Sequence, residues 1–112
     1  MAENGAASKT GLLTSARQRG AGILATAVSV VTTVVVATLA VHILFVVFEA
    51  NASNALVETI SDWAEGMAWQ FRDVFQPSDP KIGVAVNYGL AGVVYLVVGR
   101  LIAGGLRRFS PE

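Results

Sequence analysis

Between Gly22 and Phe48 the chain carries no charged residue, and His42 is the one titratable group in that run. A helix over it rises about 1.5 Å per residue and reaches about 40 Å, more than the roughly 30 Å of a bilayer's hydrocarbon core. A second charge-free run, Ile82 to Gly99, spans about 27 Å as a helix. Leu101 to Leu106 extend it past Arg100, whose long side chain can reach back toward lipid headgroups. Both runs are rich in valine, which in water favours strands. In hydrocarbon, only helices and closed barrels satisfy every backbone group, and neither run alternates like a barrel strand. The pattern predicts two transmembrane helices, over 21–49 and 82–106.

The segment between them, 50–81, has a different period. In NALVETISDWAEGMAWQFRDVF, residues Leu56, Ile60, Trp63, Met67, Phe71 and Val74 recur at steps of three and four. That spacing draws one apolar stripe on a helix predicted over 54–76. Glu58, Asp62, Glu65 and Asp73 fall mostly on other faces, and Asn51, Ser53 or Asn54 can cap its start. Tryptophan and phenylalanine are enriched where membrane meets water, so the stripe suits a helix lying in that interface. It suits equally a helix packed on the ends of the two spans or on a partner protein. The acidic polar face does not attract anionic lipid; the flanking spans hold the segment at the membrane.

Seven residues, FQPSDPK from Phe75 to Lys81, then turn the chain. Pro77 disfavours helical geometry at Gln76, so the amphipathic helix must end by there. Asp79 or Ser78 can cap the next helix, and Pro80 at its first position loses nothing by lacking an N–H. An acidic cap also faces the positive end of that helix's dipole. The stretch is expected to be a structural corner with no chemistry of its own.

Composition agrees with the pattern. A 112-residue chain that is 54% hydrophobic and 14% charged departs from the make-up of an ordinary water-soluble domain. With no cysteine and one histidine, neither a disulfide framework nor a thiolate or multi-histidine metal site is available, and no cofactor is expected. There is no phosphate-binding glycine loop, no Ser/His/Asp set and no paired carboxylates in a cleft, so no enzyme activity is expected. Arg107 and Arg108 are too small a basic patch for nucleic acid. The formal charges cancel, but their placement is uneven. Lys9, Arg17 and Arg19 precede the first span, and Arg100, Arg107 and Arg108 end the second. The segment between holds Arg72 and Lys81 against six acidic residues from Glu49 to Asp79. The positive-inside rule therefore places both termini in the cytoplasm and 50–81 outside. Residues 1–20, small and polar at their start, are expected to form a disordered cytoplasmic tail, and 107–112 a short one. A cleavable signal sequence, with Ala50-Asn51-Ala52 as its cleavage site, competes for the first run. Its apolar core would usually be about 7–15 residues, much shorter than this run.

Small and polar residues inside the spans point to packing. Ala21, Ala25, Ser29, Thr33 and Ala37 recur every four residues; Ala85, Gly89 and Gly92 do much the same in the second span. Such ladders let helix backbones approach, within one chain or between chains. By helical rise, His42 lies about 9 Å inside the outer end of the first span, and Asn87 and Tyr88 about 7–9 Å inside the start of the second. Polar groups at that depth need partners. The simplest expectation is that His42 hydrogen-bonds Asn87 or Tyr88 and sets the register of the hairpin. The other is that His42 belongs to a functional site.

The sequence as a whole predicts an all-α membrane protein: two transmembrane helices forming a hairpin, joined by an extracytoplasmic amphipathic interfacial helix. The order of NASNALV, the aromatic amphipathic helix, QPSDP and a second span with NYGL resembles small integral membrane proteins of actinobacteria. It is also similar to one half-unit of the YggT family of bacterial membrane proteins, over about Val34 to Leu106. YggT proteins carry two such units with basic residues around the amphipathic segment, whereas this chain has one unit and an acidic segment. The resemblance implies a non-catalytic accessory role in the bacterial inner (plasma) membrane, linked in that family to cell division or osmotic adaptation. The expected partners are the lipid bilayer and a membrane-protein partner or further copies of the chain. A self-assembling two-span pore former of the holin type is the alternative. Holins of this topology usually have a short outer turn, where this chain places roughly thirty residues.

Overall fold

A computed structural model describes the backbone of residues 2–108 and the side chains from Gly11 to Arg108. Three helices follow one another: α1 (Ala2–Val47), α2 (Ala55–Ala68) and α3 (Pro80–Arg107), with a 3-10 turn at Trp69–Phe71. The described residues contain no strand. Two of the helices, α1 from Gly11 on and α3, are long and apolar enough to cross a membrane. Where the sequence suggests a tail over residues 1–20, α1 is drawn as helix from Ala2. The expected C-terminal tail lies largely outside the described residues.

Local chemistry accounts for each helix end. α1 closes with paired bonds from Glu49 N–H to the Val46 carbonyl (3.2 Å) and from Ala50 N–H to that of Phe45 (2.8 Å). This is the six-to-one and five-to-two pattern of a Schellman cap. Glu49 holds the left-handed position at φ 55°, where glycine is more usual. Of the three candidate caps for α2, Asn54 takes the role: its Oδ1 accepts from the N–H groups of Leu56 (2.9 Å) and Val57 (3.4 Å). Asn51 instead folds its own turn, accepting from Ser53 N–H and Ser53 Oγ. At α3, Asp79 Oδ1 accepts from Lys81 N–H at 2.9 Å, and Gly83 N–H donates to the Asp79 carbonyl. Pro80 is the first residue of the helix.

The middle helix departs from expectation. It ends at Ala68, not near 76. Trp69 turns to φ 45° and its N–H bonds back to the Glu65 carbonyl. The Met67 carbonyl takes a hydrogen bond from the Tyr95 hydroxyl of α3 at 2.6 Å. A tertiary donor thus satisfies a carbonyl that has no partner of its own in the last turn of a helix.

Two compact units divide the chain: the described residues up to Val30 with those from Gly99 on, and Val31–Val98. In the first, Ala21, Ala25 and Ala103 are buried, small side chains that let helix backbones come close. In the second, Leu39, Ala64, Ala68, Tyr88 and Ala91 form the core, with Val35, Ile43, Met67, Phe71, Val84 and Tyr95 packed around it.

The expected small-residue ladder holds only in part. Ala21, Ala25 and Gly92 are buried and Ser29, Ala85 and Gly89 half-buried, but Thr33 and Ala37 are exposed. A strict four-residue step turns about 40° further round the helix each time. The better-covered positions of α1 run instead through Ala21, Ala25, Val28, Thr32, Val35, Leu39, His42 and Val46. Their alternating steps of four and three keep one seam in place.

Candidate functional site

The polar side chains of the 31–98 unit gather where α2 and the turn after it pack against α1 and α3. His42, Asn87 and Thr38 are all buried. Thr38 is satisfied locally, its Oγ1 donating to the Val34 carbonyl at 2.8 Å. His42 and Tyr88 meet ring to ring, centroids 4.7 Å apart and planes tilted by 40°. The contact is between aromatic faces, a pairing that contributes about 0.5–1.5 kcal/mol beyond area burial.

Asn87 has a different partner from the one expected. Its Oδ1 accepts from Phe75 N–H at 2.8 Å, and its Nδ2 donates to the Phe75 carbonyl at 2.7 Å. The amide is complementary to both main-chain groups of one residue, as a neighbouring strand would be. Phe75 opens the FQPSDPK corner, so a side chain two turns into α3 holds the backbone that leads into it. The pairing of His42 with Asn87 is therefore replaced by two separate contacts, His42–Tyr88 and Asn87–Phe75.

Tyr95 was not singled out by the sequence pattern, though a signal existed. It stands seven residues after Tyr88 on the same face of α3, and a hydroxyl in an apolar helix needs an acceptor. The Met67 carbonyl is that acceptor. At the far edge of the unit, Lys81 Nζ and Glu49 Oε1 pair at 2.9 Å between exposed side chains. Such a pair contributes about 0–1 kcal/mol, but it joins the end of α1 to the start of α3.

The stripe expected to face apolar surroundings is split. Met67 and Phe71 pack on the core and Ile60 is half-buried, whereas Leu56, Trp63 and Val74 are exposed. The inward face of α2 runs through Ala64 and Ala68, both 0% exposed, while Trp63 is 56% exposed. Trp69 and Phe75 are exposed as well.

Between the end of α1 and α2 lies a cavity of about 260 Å³ lined by His42, Phe45, Val46, Val57, Glu58 and Asp62 among others. Among the described residues, no group of three or more His, Cys, Asp or Glu side chains is placed to hold a metal ion. Comparisons with protein-family models, curated proteins and solved structures found no match.

Proposed function

We propose that this chain is a small integral membrane protein of the bacterial inner membrane and acts as a non-catalytic accessory or assembly subunit of a membrane complex. One observation carries the membrane reading: the apolar side chains of the long helices point outward. Only 17% and 28% of the most apolar windows of α1 and α3 are buried. The core helix of a water-soluble protein hides such residues. Here Ile23, Leu24, Val31, Val93, Val97 and Leu101 are all exposed. At about 25 cal/mol per Å² of apolar surface, two helices clothed in this way are stable in hydrocarbon and costly in water.

On this reading α1 and α3 cross the bilayer as a hairpin, with the basic residues near Arg17, Arg19, Arg107 and Arg108 on the cytoplasmic side. α2 lies outside, its alanine face on the chain's own helices and its Trp63 flank in the interface. Interface and protein packing then belong to two faces of one helix. The subunit reading is favoured over a pore because two of the polar side chains on α3, Asn87 and Tyr95, make their hydrogen bonds within the chain. The oxygen and the nitrogen of the Asn87 amide both bond to Phe75, and the Tyr95 hydroxyl bonds to Met67, which ties both side chains to the chain's own backbone.

The membrane reading predicts that the protein stays with membranes through an alkaline carbonate wash and needs detergent for release; extraction by carbonate alone would refute it. Purification in mild detergent then tests the role. A stoichiometric heterologous membrane protein supports the subunit reading, and a large homo-oligomer without one supports the pore.

A further inference from the structure

The cavity at the C-terminal end of α1 has walls of two kinds. Phe45 and Val46 of α1 and Val57 of α2 are apolar, while Glu58 and Asp62, one turn apart on α2, bring carboxylates to its exposed side. Carboxylates four residues apart on a helix repel each other and weaken it. Glu49 also lines the cavity, but Lys81 neutralises it; among the described residues Glu58 and Asp62 have no ion-pair partner. His42 supplies a second, independent observation. Its side chain is 6% exposed and lines the cavity, and among the described residues nothing hydrogen-bonds its ring. No fully buried side-chain nitrogen or oxygen lacks a partner among the described residues, so the ring nitrogens of His42 keep some exposure, and the cavity is an opening that His42 lines.

We propose that this cavity binds a small organic ammonium ion. The cationic head sits between Glu58 and Asp62, the apolar body lies against Phe45 and Val57, and the far end reaches the His42 ring. A charged donor between carboxylates makes the stronger class of hydrogen bond, and the Phe45 ring adds cation–π attraction. A metal ion fits less well, because no set of three ligating side chains converges among the described residues. The volume lies below the roughly 300 Å³ at which pockets for drug-sized ligands begin, which sets the size of the ligand as small. The same chemistry has two sources beside a membrane: a free alkylamine, or the ammonium headgroup of a phospholipid. The site itself depends only on the fold of 31–98; the lipid source also rests on the membrane reading.

The chain has one histidine, so selective labelling gives a single set of imidazole signals that reports on the cavity. The full protein in detergent micelles is titrated with butylammonium chloride, with 1-butanol and sodium chloride as controls. The expected result is a saturable shift of the His42 signals with butylammonium alone. Each charged hydrogen bond contributes about 1.5–3 kcal/mol, so Glu58→Gln/Asp62→Asn should weaken binding about ten-fold or more. Asp73→Asn, outside the cavity, should leave it unchanged, and circular dichroism confirms that the variants remain helical. Equal responses to all three solutes, no response, or undiminished binding by the double variant would overturn the proposal. In nanodiscs, a response to butylammonium in phosphatidylglycerol that vanishes in phosphatidylethanolamine identifies a lipid headgroup as occupant; a response in both identifies a free amine. A protein that stayed in solution without detergent would overturn the membrane reading alone, and the same titration then runs in buffer.

Discussion

Asn87 clamps Phe75 by both of its main-chain groups, with hydrogen bonds of 2.8 and 2.7 Å. Asn87 is 3% exposed, and the two residues are twelve positions apart across the FQPSDPK corner. Each bond contributes about 0.5–1.5 kcal/mol net, and a stranded partner adds a desolvation cost. Asn87→Ala should therefore cost about 1–3 kcal/mol, read by thermal unfolding in detergent. Asn87→Asp keeps an acceptor for the Phe75 N–H but sets a carboxylate against the Phe75 carbonyl, and should recover little. A loss within about 0.5 kcal/mol for Asn87→Ala, the ordinary scatter of surface substitutions, would show that the clamp does not hold the corner.

The Tyr95 hydroxyl should act on the end of α2. Tyr95→Phe removes the 2.6 Å bond to the Met67 carbonyl while keeping the ring. The expected global cost is about 0.5–1.5 kcal/mol. The local sign is more specific: amide exchange should rise in Ala64–Phe71 and stay unchanged in the first turn of α2, which Asn54 caps. Uniform exchange along α2 would contradict a hydroxyl acting at one end.

What could be read from the sequence divides by range. That caps open α2 and α3, at Asn54 among three candidates and at Asp79 among two, and that Pro77 and Pro80 make a corner, was legible because each depends on residues within four positions. The two long helices were legible because lack of charge over that length leaves few alternatives. The end of α2 was not. The apolar period continues to Val74, whereas the helix stops at Ala68, where Trp69 turns to φ 45° and a hydroxyl twenty-eight residues away, on Tyr95, takes the Met67 carbonyl. The same limit hid the partner of Asn87. Depth along a helix brought His42, Asn87 and Tyr88 to one level, but it carries no information on which way the amide faces. The inward line of α2 was missed for another reason: a hydrophobicity count favours Leu56 and Trp63, whereas close helix approach favours Ala64 and Ala68.

His42 and Tyr88 should be energetically coupled, and His42 and Asn87 should not. The ring contact at 4.7 Å predicts a coupling of about 0.5–1.5 kcal/mol in a cycle of His42→Ala and Tyr88→Ala. Tyr88→Phe preserves the ring and should retain most of it. The cycle of His42→Ala with Asn87→Ala should be additive within about 0.5 kcal/mol, because the two side chains bond to different groups. Coupling confined to the Asn87 cycle would reinstate a His42–Asn87 bond and refute the geometry.

The placement of α2 sets alanine against tryptophan. Ala64 and Ala68 are fully covered, so Ala64→Leu or Ala68→Leu overfills the core and should cost about 1–3 kcal/mol. Trp63→Ser removes an exposed ring and should leave unfolding in detergent within about 0.5 kcal/mol of the parent. Its effect belongs in lipid. If Trp63 and Trp69 rest in the interface, brominated lipids should quench their fluorescence, and Trp63→Ser should remove part of the quenched signal. Emission that only an aqueous quencher reaches would place this flank in water.

Orientation is the remaining prediction, and the chain's lack of cysteine makes it direct. Ser78 lies exposed in the corner between the 3-10 turn and α3, and Ser15 lies exposed on α1 two residues before Arg17. Neither position needs its hydroxyl for a cap: Asp79 caps α3, and Ser15 is well inside a helix. A cysteine at either site should be tolerated, with stability changed by less than about 0.5 kcal/mol. The proposed orientation, with the basic flanks of both spans in the cytoplasm, predicts that Ser78→Cys reacts with a membrane-impermeant maleimide in intact cells and Ser15→Cys only after permeabilisation. The reverse labelling would invert the topology, carrying Trp63, Glu58 and Asp62 to the cytoplasmic face. Labelling of both sites in intact cells would mean that only one of the two long helices crosses the membrane.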